Sequence, residues 1–281
     1  MKKTTVILIS LTLIAGFGWL VYFGLTHSRG IPVKPEKIER PVIAAAFIDK
    51  DIDLSSGLSD EIWQAIAPKE IKFVYQITVL PWPIAREKVS TAAVKAFHNQ
   101  KDIYFYLSWA DQTEDRVVRA DKFSDACAIM FPMDEKAQPH SIMMGFLGKS
   151  NIWHWKAASD IQYWMKQSPA NEAYADFYYP FEEEEIFAVS REVPKSAVSD
   201  LLAIRVGTIT PKDTQDVSGR GFYKDGLWQV VFKRSFRAVD IQDDADFKPG
   251  RKLCAFAVWN GSKGDRGGRK VISDWAELDI K

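Results

Sequence analysis

Asp102-Ile103-Tyr104-Phe105-Tyr106-Leu107-Ser108-Trp109-Ala110-Asp111 is the stretch that decides the fold. Aromatic and aliphatic side chains run between two aspartates, and such composition favours a strand over a helix. Segments of the same kind recur on both sides. Asp125-Ala126-Cys127-Ala128-Ile129-Met130-Phe131-Pro132 stops at a proline. Leu227 to Phe236 follows the turn signal Asp225-Gly226, and Lys252 to Trp259 is closed by Asn260-Gly261. Val42 to Phe47, Ile71 to Leu80 and Val271 to Ile280, with Trp275 at its centre, read as further strands. Val89 to Ala96 is ambiguous. Asp60 to Ile66 reads as a short helical turn with Asp60 near its N-cap and Trp63 as a core plug. Tyr163 to Tyr179 has no period and reads as a long loop; Glu182 to Glu185 reads as a solvated acidic run. Many strands with few helices predict an all-β fold: an antiparallel β-sandwich with long loops at its ends.

Composition narrows the function classes. Of 281 residues, 47% are hydrophobic and 26% charged, which is globular. The formal net charge is +0, so there is no global basic field to attract nucleic acid. The two cysteines, Cys127 and Cys254, are too far apart for a C-x-x-C motif, and no C-x-x-C-H occurs, which argues against covalent haem attachment. A disulfide between them and a pair of buried free thiols both remain open.

Lys2 and Lys3 precede an uncharged run from Thr4 to Thr26. A run of this length, apolar on every side, is enough to cross a bilayer. No A-x-A-like site follows it, and Trp19 and Tyr22 suit an interface. The expected organisation is a membrane anchor over residues 1–29, with a cleaved signal as the alternative, a Pro-containing linker over 30–40, and one domain over 41–281 outside the cytoplasmic membrane.

The chemistry-bearing segment is Pro139 to Ala157, P-H-S-I-M-M-G-F-L-G-K-S-N-I-W-H-W-K-A. No G-x-S-x-G, H-E-x-x-H, Walker or G-x-G-x-x-G pattern occurs anywhere, and the paired Asp243 and Asp244 sit in a polar loop, so no catalytic set is expected. A methionine in an apolar strand is ordinarily a gap-filler. On residue chemistry alone His154 is the readiest iron ligand, with His140 weaker. Trp153 and Trp155, if exposed, would instead stack on sugar rings in a carbohydrate-binding sandwich. An anchored envelope assembly protein without any ligand is a third reading.

The motifs M-M-G (Met143 to Gly145), I-W-H-W-K-A (Ile152 to Ala157), S-W-A-D (Ser108 to Asp111) and the Asp125-to-Pro132 strand resemble the haem-b, or gamma, subunits of type II dimethyl-sulfoxide-reductase-family molybdoenzymes. That family includes ethylbenzene and dimethyl-sulfide dehydrogenases, selenate and chlorate reductases and nitrite oxidoreductase. The resemblance covers roughly Val42 to Ile280 and implies a haem-binding β-sandwich. It implies one non-covalent haem b held by a methionine and a lysine. Met144 before Gly145 matches the methionine, with Met143 the adjacent alternative. Lys233 on the strand after the Asp225-Gly226 turn is taken for the lysine, with Lys224 and His154 as alternatives. Lys156 and Arg234 are candidate partners of the haem propionates. Asp265-Arg266-Gly267-Gly268 resembles the family's late loop and is given no role. The resemblance further implies a non-catalytic electron-transfer subunit. Its partners would be a molybdopterin catalytic subunit, an iron–sulfur subunit and a cytochrome or membrane redox partner.

Overall fold

The computed structural model describes residues 39–58, 60–76, 88–119, 121–167 and 194–281. The expected anchor, most of the linker, the acidic run and the end of the Ile71-to-Leu80 segment lie outside the described residues. Among the described residues no helix is long and apolar enough to cross a membrane. Residues 40–281 form one compact unit.

The strands, in chain order, are β1 (Val42–Phe47), β2 (Lys69–Lys72), β3 (Val74–Tyr75), β4 (Thr91–His98), β5 (Asp102–Ala110), β6 (Ala126–Pro132), β7 (Ser150–Lys156), β8 (Val198–Ala203), β9 (Ile209–Pro211), β10 (Ser218–Lys224), β11 (Leu227–Ser235), β12 (Gly250–Trp259), β13 (Val271–Ile272) and β14 (Ala276–Ile280). Among the described residues two short α-helices accompany them, α1 (Asp60–Ala65) and α2 (Ala157–Trp164). The hydrogen-bonded order is β10-β11-β5-β4-β1-β14-β12-β6-β7-β8-β9. The path bends at β12. Its first half, Gly250 to Cys254, pairs with β14, and its second half, Ala255 to Trp259, pairs with β6. Two layers therefore face each other, with β12 shared between them.

Alternate side chains from both layers fill the space between. Phe105, Leu107 and Trp109 of β5 and Trp228, Val230 and Phe232 of β11 meet Cys127, Ile129 and Phe131 of β6 and Trp153 and Trp155 of β7. Trp155 stands edge-on to Trp228 with centroids 5.1 Å apart, and Phe131 edge-on to Trp153 at 4.8 Å. Rings in these offset geometries add to the gain from burying their area. Cys127 and Cys254 are both buried free thiols, which closes the question of a disulfide, and burial raises both thiol pKa values.

The β5 stretch lacks clean alternation because its layer is covered on both faces. Tyr104 and Tyr106 point away from the main core and are buried, with Phe97 and Val231, beneath Trp63 of α1. Trp63 is thus the core plug expected of it.

Two expectations are corrected, and one open segment is assigned. The sandwich is not wholly antiparallel: β1 runs parallel to both its neighbours, β14 and β4. The reason is connectivity. β1 reaches β4 by a long crossover containing α1, where a hairpin would impose the antiparallel sense. Residues Tyr163 and Trp164 close a helix where a loop was expected, because α2 starts directly after the W-H-W-K strand. The ambiguous Val89-to-Ala96 segment is β4.

Candidate functional site

The outer face of the second layer, away from the main core, carries the residues of the Pro139-to-Ala157 segment. Strand register sets its pattern. Ile152, His154 and Lys156 of β7 lie opposite Met130, Ala128 and Ala126 of β6, which lie opposite Ala255, Ala257 and Trp259 of β12. Ile272 of β13 continues the middle row beyond Ala257, and Lys270 lies two residues before it on the same face. Three alanines and a fourth, Ala255, keep this face low. Taller side chains stand around them.

One end is closed by a single 3-10 turn, Ile142–Met144. Ser141 caps it by accepting the Met143 N–H at 3.2 Å, and the Ile142 N–H donates to Asp274 Oδ1 at 2.9 Å. Ile142 and Phe146 pack with Met130, Leu253, Ala255 and Trp275, which fixes the turn to the face. Gly145 ends the turn at φ +89°, a conformation that favours glycine. Met144 is left 81% exposed, while Met143 is half-buried. The two methionines are therefore on a turn, not on the strand expected of them. Strand alternation does not choose between them; exposure favours Met144.

The other end is closed by Trp259. His154 stacks on it, with centroids 4.6 Å apart. Lys270 Nζ lies 4.9 Å from the same ring centroid and donates to the Gly267 carbonyl at 3.3 Å. Burial lowers the Lys270 pKa to about 8, opposed by the charge of Asp265. Burial lowers Lys156 to about 7. Burial first, then the charges of Lys156 and Lys270, hold His154 well below the usual imidazole range. Desolvation thus pushes three nitrogen bases on one face toward their neutral, lone-pair-bearing forms.

Lys233 is elsewhere. It points outward from the first layer, where Nζ pairs with Asp51 at 2.6 Å and Asp102 at 3.5 Å and lies 5.4 Å from the Tyr104 ring centroid. The inner face of β11 packs against the inner face of β7, so both layers and the core stand between Lys233 and His154. The structure does not bring Lys233 to Met144. Arg234, one residue on, points inward and is fully buried. Its guanidinium lies over Trp153 and Phe247, 5.2 and 4.7 Å from their centroids, and pairs with Asp244. It is walled off from the outer face, which removes it as a propionate partner. Lys224 is exposed at the turn end of β10, on the first layer, and His140 is exposed in the β6–β7 connection. Lys156 does belong to the outer face. Trp153 and Trp155 are buried between the layers, so neither can stack on a sugar.

Lys270 is the residue that sequence reasoning passed over. The signal was present: Lys270 stands one residue before β13, at a spacing of two from Ile272, directly after the noted Asp265-to-Gly268 loop.

The donor set fits a haem. A thioether on a fixed turn and an amine desolvated toward neutrality are on one outer face, with a low alanine floor and a buried imidazole nitrogen, His154 Nε2, that has no hydrogen-bond partner. Among the described residues no cluster of three His, Cys, Asp or Glu could hold a bare metal ion.

Residues 60–271 match the family model described as ethylbenzene dehydrogenase. The chain belongs to this family. Among its relatives is a respiratory nitrate reductase haem subunit of Haloferax mediterranei, 26% identical over 84% of this chain and 75% of that protein. The gamma subunit of Ideonella dechloratans chlorate reductase is 25% identical over 69% of this chain and 65% of its own length. The gamma subunit of Rhodovulum sulfidophilum dimethylsulfide dehydrogenase is 27% identical over 64% and 56%. This member of the ethylbenzene dehydrogenase family is therefore of the gamma-subunit type found in type II molybdoenzymes. A family 9 carbohydrate-binding module of Caldicellulosiruptor kristjanssonii, solved with cellotriose, also resembles it, with a TM-score of 0.44 at 10% identity over 85% of this chain and 93% of that one.

Proposed function

We propose that this protein is a non-catalytic electron-transfer subunit that holds one non-covalent b-type haem on the outer face of its second layer. Met144, with Met143 as the adjacent alternative, and Lys270 are the iron ligands in this reading. Lys270 takes the place that sequence alone gave to Lys233. The observation that carries the proposal is the shared face: the turn bearing Met144 closes one end of it, and the desolvated amine of Lys270 closes the other.

The residues have separate tasks. Gly145 and the Ser141 cap hold the methionine turn in one conformation. Burial favours the neutral amine of Lys270, which a ligand must be, and a bound iron would compete further with the proton. Ala126, Ala128, Ala255 and Ala257 form the buried, small-residue floor of the face. Lys156 lies on the same face, where the charge of a propionate would favour its protonated form against the pull of burial. The haem, when bound, would supply the one-electron redox change.

The partners would be a molybdopterin catalytic subunit and an iron–sulfur subunit, with a cytochrome or membrane carrier as the outer redox partner. Exposed Leu147, Ile204, Val206 and Ile209 support a protein-binding surface beside the methionine turn, since Val206 lies within van der Waals reach of a side chain built at Gly145. The uncharged Thr4-to-Thr26 run supports an anchored, extracytoplasmic location.

Absorption and low-temperature EPR spectra of the purified full chain test the proposal. A low-spin b-type spectrum that becomes high-spin in both Met144→Ala and Lys270→Ala is expected. Protein that takes up no haem on supplementation would overturn it.

A further inference from the structure

Among the described residues, His154 Nε2 and, toward the methionine turn, Trp275 Nε1 are buried nitrogens of the haem face without a hydrogen-bond partner; His154 is the one that stands beside lysines. The residue is 8% exposed, and its Nε2 has no hydrogen-bond partner. Leaving a buried donor or acceptor unpaired is costly, and native proteins rarely do so without a ligand or water to satisfy it. The nitrogen is also held in place. Stacking on Trp259 fixes the plane of the ring, and the β7 ladder fixes its backbone between Ser199 of β8 and Ala128 of β6.

The surroundings say what kind of atom would complete it. The charged groups acting on His154 are both cations, Lys156 and Lys270. With Lys270 committed to iron as a neutral amine, Lys156 remains, two positions along the same face. An anionic oxygen placed here would draw Lys156 back to its protonated form and meet the imidazole N–H as well, whereas a second metal cation would gain neither. The burial that keeps this imidazole neutral leaves it one N–H, which can donate to such an oxygen.

We propose that His154 donates a hydrogen bond from Nε2 to a propionate carboxylate of the bound haem, as a positioning residue and not as an iron ligand. The inference rests on the haem reading above and deepens it. It gives His154 the task that sequence alone assigned to Arg234, which the fold has buried on the other side of β7.

The test compares two porphyrins on the full chain: haem b, and haem b dimethyl ester, whose esterified propionates carry no charge. A hydrogen bond to a charged group is worth about tenfold in binding. His154→Leu should therefore bind haem b about tenfold more weakly than the wild type. It should bind the dimethyl ester as the wild type does. Both complexes should keep the wild-type low-spin spectrum, and His154→Gln, which keeps an N–H donor, should recover part of the loss. A high-spin spectrum in His154→Leu would overturn the inference by making His154 an iron ligand. Equal weakening for both porphyrins, or weakening for neither, would overturn it by making the role purely structural. Failure of the wild type to bind any haem would overturn the function reading itself, and this inference with it.

Discussion

Gly221 of β10 lies against the indole of Trp155, so closely that a β-carbon at position 221 would overlap Cζ2 of the ring. The same neighbourhood is tied by Asp160 of α2, whose Oδ2 accepts the Trp155 Nε1–H at 2.9 Å and the Gly221 N–H at 2.7 Å. Trp155 thus joins the two layers and the helix at one point. Gly221→Ala is expected to overpack it and to destabilise the fold by about 1–3 kcal/mol. Urea unfolding of the variant against the wild type checks this; an unchanged midpoint would show that the sheets separate freely here.

Asp125 makes the stability depend on pH in a defined direction. Its carboxylate accepts N–H groups from Gly261, Asp115 and Trp228. Burial, and then the charge of Asp111, raise its pKa from 3.8 to about 7. For a carboxyl whose folded pKa is raised, the stabilising contribution is complete below the unfolded value and is lost as pH rises through the folded value. The wild type should lose stability relative to Asp125→Asn between about pH 4 and 7. Denaturant midpoints of the two proteins across that range measure it, and a constant difference would contradict it.

Lys212 is buried between two buried aspartates, Asp200 at 3.0 Å and Asp244. Removing the amine leaves both carboxylates without their shared cation. Lys212→Met should destabilise by about 3–5 kcal/mol. Thermal unfolding reads this directly, and a shift within about 1 kcal/mol would mean that water has taken over the charge.

Lys233→Ala is a contrasting case. Its ion pair with Asp51 is partly solvated, and such pairs contribute about 0–1 kcal/mol. The variant should unfold close to the wild type and keep its haem spectrum.

The strands were legible because aromatic and β-branched runs closed by Asp-Gly, Asn-Gly or proline leave few other conformations. The site was legible in part. A period of two shows that Lys233 shares a face with Val231, and Lys270 with Ile272, but not which face meets the core. On β11 the rule fails outright, since α1 covers Val231 and makes both faces look buried. The parallel sense of β1 was hidden because its partners come from distant parts of the chain. Trp153 and Trp155 carry no mark distinguishing a sugar platform from a core; only the packing of β11 and β5 against them decides. Arg234 shows the limit of charge as a guide, because its cation is sheltered by two rings and Asp244 inside the sandwich.

The low-temperature EPR spectrum of the haem-loaded full chain, recorded for Lys270→Ala beside Lys233→Ala, bears on the ligand assignment most directly. Loss of the low-spin signal in Lys270→Ala, with Lys233→Ala unchanged, is the expected result. A low-spin signal that survives in Lys270→Ala and disappears in Lys233→Ala would contradict a haem on the outer face of the second layer.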